Sequence, residues 1–421
     1  MKEQTLIKID SLYRHAESTV PFYQKIGKSL GITNIVNSEC FEQLPLVTKA
    51  DIQRNPQDFL SEMYTRYPLN KDISIHRTSG STGQYLKIYW SQAENIRSLS
   101  ELWLLRKNRY DIIPSNKYAY FYTNDYIANT RVEPKEMLIA PNKRSIGFWK
   151  GNLNKNKIVR IYEHLLDFSP DWIMLQPSVA VLIADSIREN NFTEIPGLRY
   201  IELTGEYLSL SVQDYLKEIF RCAVSNQYGC NEANSIALTC LKNQFHCLES
   251  NVYIEIIQNG KNVGYNTLGD IYITVLTNYA MPFIRYQTGD RGILREINCD
   301  CGSRAAMLEL VAGRVSDFVL TRYGEKIPSY IFLYPIEYIN EKIGNIIQQF
   351  QIVQYDVDKF LVRLSIKPSY NGWKETVSQA FVASIKEEAL TGAFWDFEFT
   401  NGLLPDNTTG KLAYFYNKMQ V

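Results

Sequence analysis

The sequence predicts an α/β protein: a large N-terminal α/β domain followed by a smaller α+β C-terminal domain. Three observations lead there. From Asp72 to Phe220, strand-like runs alternate with helix-length amphipathic stretches, the spacing of a mainly parallel sheet with helical crossovers. Between Val252 and Glu296 the pattern becomes strand-rich. After Gly313-Arg314-Val315 it changes again, to helix, two strands and helix, which places a domain boundary between residues 316 and 317. The 421 residues, 45% hydrophobic and 21% charged, suffice for two or three domains with cores of their own.

Each element has a local reason. Thr48-Lys49-Ala50-Asp51 has the S/T-x-x-D shape of a helix start. Ile73 and Ile75, then Leu86, Ile88 and Trp90, alternate with polar residues on either side of a Gly/Ser/Thr turn, which reads as two strands and a loop. Ser91-Gln92-Ala93-Glu94 is a capping box opening a helix through about residue 107, with Ile96, Leu99 and Trp103 on one face. Residues 118–122, 172–175, 199–203 and 223–226 read as strands, and 158–166, 178–190 and 209–220 as helices between them. Further strands fall at 253–257, 270–276 and 292–296. The last segment gives a helix at 330–342, strands at 347–355 and 360–366, and a helix at 373–388.

Composition excludes some partners. Lys+Arg and Asp+Glu both number 45, a formal net charge of zero, which gives no support to nucleic acid or an anionic membrane as main partner. The N-terminus has no apolar signal segment, and the longest apolar run, residues 179–184, is far too short to span a bilayer. Seven cysteines, unevenly placed in a long chain, suggest a reducing cytoplasmic setting where clustered thiols hold metal more often than they form disulfides.

Thr78-Ser79-Gly80-Ser81-Thr82-Gly83 is the most informative hexapeptide. Glycines let the backbone approach an anion, and hydroxyls with exposed N–H groups donate to phosphate oxygens. The same composition also suits a solvent-exposed hairpin loop. It is not the G-x-x-x-x-G-K-[ST] loop, which needs a lysine directly after its second glycine.

This hexapeptide resembles the phosphate loop of the adenylate-forming enzymes, and four later segments follow in the family's order. Tyr228-Gly229-Cys230-Asn231-Glu232 is similar to YGxTE, and Arg285-Tyr286-Gln287-Thr288-Gly289-Asp290 to RYxTGD. Gly313-Arg314-Val315-Ser316-Asp317 is similar to the hinge GRxDD, and Thr409-Gly410-Lys411-Leu412 to the C-terminal GK segment. With Leu46-Val47-Thr48-Lys49, the chain resembles the phenylacetate-CoA ligase-like branch and its capsule-biosynthesis relatives.

The resemblance implies a large N-terminal adenylate-forming domain (1–316) and a mobile C-terminal lid (317–421). It implies a carboxylate attacking the α-phosphate of ATP, an acyl-adenylate, and displacement of AMP by CoA, or by a carrier-protein thiol or amine. A fold-retaining, inactive nucleotide-binding scaffold is the alternative of another class. Thr78, Ser79, Gly80, Ser81, Thr82 and Gly83 would hold phosphates, with Gly205, Glu206, Tyr228, Gly229, Asp290 and Arg314 completing the nucleotide site. Glu232 would hold Mg²⁺ and Lys411 would act at the reacting carboxylate. The acid itself is not identified; Tyr122, Tyr126, Phe148 and Trp149 could line its pocket or sit in the core. A homodimer stays open.

This chain departs from the branch in having Gln84-Tyr85 where lysine-proline is usual, with Lys87 as a distant substitute, and Asn231 and Ser316 inside two motifs. Cys240, His246, Cys299 and Cys301, as C-x5-H and C-x-C, supply three thiolates and an imidazole. That is a closed, structural Zn²⁺ set of a kind some relatives carry between the same motifs. Cys247 competes with His246 as ligand.

Overall fold

The computed structural model describes residues 1–65, 72–77, 86–123, 126–127, 130–131, 135–296, 299–314, 318–407 and 410–420. Residue contacts divide the chain into two compact units: 1–111 with 227–311, and 112–226 with 312–421.

The first unit starts with helices Glu3–Thr19 and Pro21–Leu30. Val20 leaves the helical region and Pro21 restarts it at a first-turn position, where its missing N–H costs nothing. Ile9, Leu12, Tyr13 and Ala16 form the buried stripe, meeting Phe41, Leu276 and Ile284. The expected capping box is present: Thr48 accepts from Asp51 N–H while Asp51 accepts from Thr48 N–H. Ile73–Arg77 and Lys87–Ser91 pair as an antiparallel ladder.

The helix expected from Ser91 through residue 107 is two helices, Gln92–Ser98 and Ser100–Tyr110. At Leu99 the backbone tightens (φ −97°, ψ 0°), and its N–H reaches Ile96 and Arg97 carbonyls instead of the one four residues back. That break rotates the buried face. Leu102, Arg106 and Tyr110 turn inward while Ile96 is left 65% exposed. The rest of the unit is antiparallel. Val252–Gln258, Gly269–Val275 and Tyr286–Arg295 pair in order, and Met307–Arg314 continues to Phe245–Cys247 and Ala237–Thr239. Ile254, Ile256, Ile271 and Ile273 pack with Trp90 and Phe283 in its core.

Arg285, from the RYxTGD-like segment, sits in the left-handed region (φ 50°) and is buried. Its guanidinium meets Glu255 through both carboxylate oxygens and donates to the carbonyls of Glu42 and Leu44.

In the second unit, Tyr200–Thr204, Trp172–Leu175, Tyr118–Tyr122 and Ser145–Trp149 are parallel neighbours in that order, with Met137–Ile139 antiparallel at the edge. Helices Lys155–Phe168, Pro177–Glu189 and Leu210–Phe220 cover one face, the first and last capped by Asn154 and Ser209 side chains. Ile161, Leu165, Val179, Ile183 and Leu216 pack there on Ala119, Phe121, Ile146 and Phe148. The parallel sheet with helical crossovers thus forms where the sequence alternates.

Residues 318–420 build a sheet of their own, ordered Phe394–Thr400, Lys359–Ile366, Ile347–Asp356, Phe415–Asn417. Helices Leu333–Ile343 and Lys374–Ser384 contribute Ile336, Ile339, Val377 and Phe381 to its core around Phe332, Phe360 and Val362. The expected 316/317 boundary falls among residues 315–317, outside the described ones. Among the described residues no helix is long and apolar enough to cross a membrane.

Candidate functional site

Ligands of open parallel α/β sheets sit beyond the carboxyl ends of the strands. In the second unit that edge carries Thr123, Lys150, Gln176 and the Gly205-Glu206 turn, each just past its strand. Gly205 has φ +83°, a conformation side chains rarely adopt. The Glu206 carboxylate accepts from Ser178 N–H and Ser178 Oγ, both at 2.9 Å, and from the N–H of Leu412 at 2.7 Å. Burial raises the Glu206 carboxyl above the ordinary range; these hydrogen bonds and the charge of Lys150 oppose the rise.

The Leu412 bond fastens the C-terminal loop at this edge. Gly410 donates to the Asp406 carbonyl at 2.7 Å and Asp406 N–H returns to the Lys411 carbonyl at 3.0 Å. This tight turn, with Gly410 at φ +62°, aims Lys411 at Gly205. A Cβ placed on Gly205 would stand 3.4 Å from Lys411 Cε and 3.6 Å from Nζ. Gly205, Glu206 and Lys411, named from two separate stretches of sequence, therefore meet at one place. Lys150 joins them. It is 4% exposed, and burial and then the Lys411 charge hold its ammonium down to about 8, against the pull of Glu206.

The first unit brings together a second group. Tyr228 Oη donates to Asp290 Oδ2 at 2.8 Å, and Asp290 N–H donates to Thr288 Oγ1 at 3.1 Å. Burial, then the Asp290 charge, pushes the Tyr228 phenol well above its ordinary range, so it stays a donor. A Cβ on Gly229 would come within 2.1 Å of the Asn234 carbonyl; only glycine allows that close return. Glu232 is 6% exposed and accepts from Tyr286 Oη at 2.9 Å. Thr78, Ser79, Gly80, Ser81, Thr82 and Gly83 lie outside the described residues, as does the side chain of Arg314.

Cys240, His246, Cys299 and Cys301 converge in the first unit with their ligand atoms all within 4.8 Å of one another. Cys240 Sγ and Cys299 Sγ are 3.7 Å apart, against an edge of about 3.8 Å for a tetrahedron with metal–sulfur bonds near 2.3 Å. His246 turns Nε2 toward Cys301 and sets Nδ1 3.3 Å from the Ala305 carbonyl, the outer contact that fixes a ligating imidazole. Strand alternation sends Cys247 to the opposite face, into the core beside Ile236 and Ala237. Of the two neighbours, His246 and not Cys247 stands in the cluster with Cys240, Cys299 and Cys301.

No family profile matches the chain. Among curated proteins it is 24% identical to protein CapK of Staphylococcus aureus, covering 98% of this chain and 88% of that one. It is 23% identical to a phenylacetate-coenzyme A ligase of Thermus thermophilus, over 91% and 83%. Among solved structures, a 2-hydroxyisobutyryl-CoA ligase in its postadenylation state superimposes with TM-score 0.75 at 18% identity, over 98% and 89%. A benzoate CoA ligase from Burkholderia xenovorans follows at 0.54 and 14%, over 87% and 78%. Over nearly its whole length the chain is similar to phenylacetate-CoA ligase-like proteins, and its fold is that of adenylate-forming CoA ligases.

The motif segments were visible in the sequence but Lys150 was not. It follows a strand whose middle residues, Ile146 to Phe148, are core: Phe148, weighed for the pocket wall, is 1% exposed and packs on Phe121 and His164. The Trp149 ring carries the Lys157 ammonium at 4.2 Å. The Tyr126 side chain lies outside what is described.

Proposed function

We propose that the chain is an ATP-dependent carboxylate ligase that forms an acyl-adenylate and passes the acyl group to CoA. The observation that supports this most is Lys411, held at Gly205 by the Leu412–Glu206 hydrogen bond in a chain similar to phenylacetate-CoA ligases. A carboxylate oxygen attacks the α-phosphorus, the bond to the β-phosphate breaks, and pyrophosphate leaves. The thiol of CoA then attacks the acyl carbonyl, losing its proton, and AMP departs. Both steps gather negative charge on oxygens, and a fixed ammonium stabilises it without reorganising solvent.

Lys411 is assigned to the carboxylate and α-phosphate. Tyr228 and Asp290 are assigned to the adenosine, Asp290 accepting from ribose hydroxyls while Tyr228 holds it in place. The hydroxyls of residues 78–83 take the phosphates. Glu232 offers the hard oxygen donor that Mg²⁺ requires; bound there, the ion would neutralise phosphate charge. Cys240, His246, Cys299 and Cys301 match Zn²⁺ in donor type and spacing, with every tetrahedral position filled by protein and hence a purely structural role. Residues 317–421, with a sheet and core of their own, are read as the lid that turns between the half-reactions.

The test is ATP–pyrophosphate exchange with a panel of carboxylic acids, with and without CoA. Acid-dependent exchange and CoA-stimulated release of AMP are expected. Exchange without any effect of CoA moves the acceptor to a carrier-protein thiol or an amine. No exchange with any acid overturns the ligase reading.

A further inference from the structure

Building on the ligase reading, we propose that Lys150 is a second anion-holding residue at the reacting centre, working with Lys411 on the carboxylate and α-phosphate. Two lysines of the second unit are equally buried, each 4% exposed, and their surroundings differ. Lys157 donates to the Gly151 carbonyl at 2.8 Å, pairs with Glu136 at 2.8 Å and lies over Trp149. It is a satisfied structural lysine. The Lys150 ammonium makes neither hydrogen bond nor ion pair among the described residues, although its own N–H fixes the backbone to the Tyr122 carbonyl at 3.0 Å.

Burial disfavours an ammonium that lacks a direct partner, and the charge of Glu206 offsets this only in part. The oxygens of Glu206 are engaged by Ser178 and the Leu412 N–H. Lys411 adds like charge. Lys150 lies at the strand ends, beside the loop that delivers Lys411. A Cβ on Gly410 would stand 2.9 Å from Lys150 Nζ and 2.3 Å from its Cε, so the loop runs directly against this side chain. An anion reaching Lys411 at that loop would also reach Lys150. The reaction supplies such anions: the substrate carboxylate, then the phosphate of the adenylate.

The charged groups facing Lys150 are Glu206, from the turn after Tyr200–Thr204, and Lys411, from the C-terminal loop; with burial they bring its ammonium to about 8. The protonated form holds the anion, so exchange should fall as pH rises through about 8.

The experiment measures ATP–pyrophosphate exchange of the full chain with monocarboxylic and dicarboxylic acids, in wild type, Lys150→Met, Lys150→Arg and Lys411→Ala, across that pH range. Lys150→Met is expected to lower exchange with every acid roughly a hundredfold, to melt no earlier than wild type, and to lose the alkaline fall. Lys150→Arg, which keeps the charge, should recover part of the rate and move the fall to higher pH. Wild-type exchange in Lys150→Met, with Lys411→Ala crippled, overturns the role of Lys150 and leaves the ligase reading standing. A loss confined to dicarboxylic acids also overturns it, assigning Lys150 to acyl selection. Full exchange in Lys411→Ala overturns this inference, in which the two lysines act together, and leaves the ligase reading standing; no exchange in wild type overturns both.

Discussion

At the residue scale, Lys411 and Lys150 bring like charges to one loop; removing either should slow exchange, and removing Lys150 should also stabilise the fold. Lys411→Ala is expected to lower pyrophosphate exchange roughly a hundred- to thousandfold, measured beside an unchanged melting temperature. Transfer from a supplied acyl-adenylate to CoA should suffer far less, because Lys411 is assigned to the first half-reaction. Lys150→Met should stabilise the fold. Its ammonium sits near 8 when folded and 10.5 when unfolded, so below pH 8 the native state carries a buried charge costing on the order of 3 kcal/mol. Between about pH 8 and 10.5 the unfolded chain binds more protons, and wild-type stability rises with pH. Denaturant titrations at pH 7 and pH 10 check this: the advantage of the Met variant should shrink at the higher pH. Lys411 was legible because Thr-Gly-Lys-Leu is a recognisable string. Lys150 was not, because its role depends on Gly410, some 260 positions later in the chain.

At the element scale, the tight turn around Gly410 decides where Lys411 points. Gly410→Ala would place a methyl 2.3 Å from both Lys150 Cε and Thr123 Cγ2, at a φ of +62°. It is expected to cut exchange much as Lys411→Ala does, while the zinc content stays that of wild type. The Cys/His cluster joins the Ala237–Thr239 and Phe245–Cys247 hairpin to the loop before Met307–Arg314. Cys299→Ser should therefore lose one bound zinc per chain in metal analysis and melt earlier; freshly purified wild-type protein without zinc would falsify the assignment. Elements with clear periodicity were legible, above all the three crossover helices. The break at Leu99 was not, since nothing in Ile-Arg-Ser-Leu-Ser forbids a continuous helix. Burial of Leu102 with Leu238 and Leu248 imposes the register, a tertiary demand overriding a local pattern.

At the scale of the whole molecule, the alternation of strand and helix foretold the parallel sheet but not that the first unit is assembled from two distant stretches of chain. Arg285 shows what this requires. It was read as part of a nucleotide motif, yet its guanidinium is spent on Glu255 and on the Glu42 and Leu44 carbonyls. Arg285→Met is expected to cost about 3–5 kcal/mol by leaving Glu255 buried and unpaired, read as a shifted denaturant midpoint. Adding Glu255→Gln should recover much of the loss.

That bond also sets a timetable for synthesis. The Glu42 carbonyl waits for a donor 243 residues downstream, about 12 to 50 seconds at ordinary elongation rates. Residues 112–226, arriving meanwhile, already hold four adjacent parallel strands and their three covering helices. The opening helices, though first off the ribosome, cannot complete their unit until the strands around Arg285 emerge. Chains stalled near residue 230 should therefore yield, under brief proteolysis, a protected middle segment and an N-terminal hundred residues still open to cleavage.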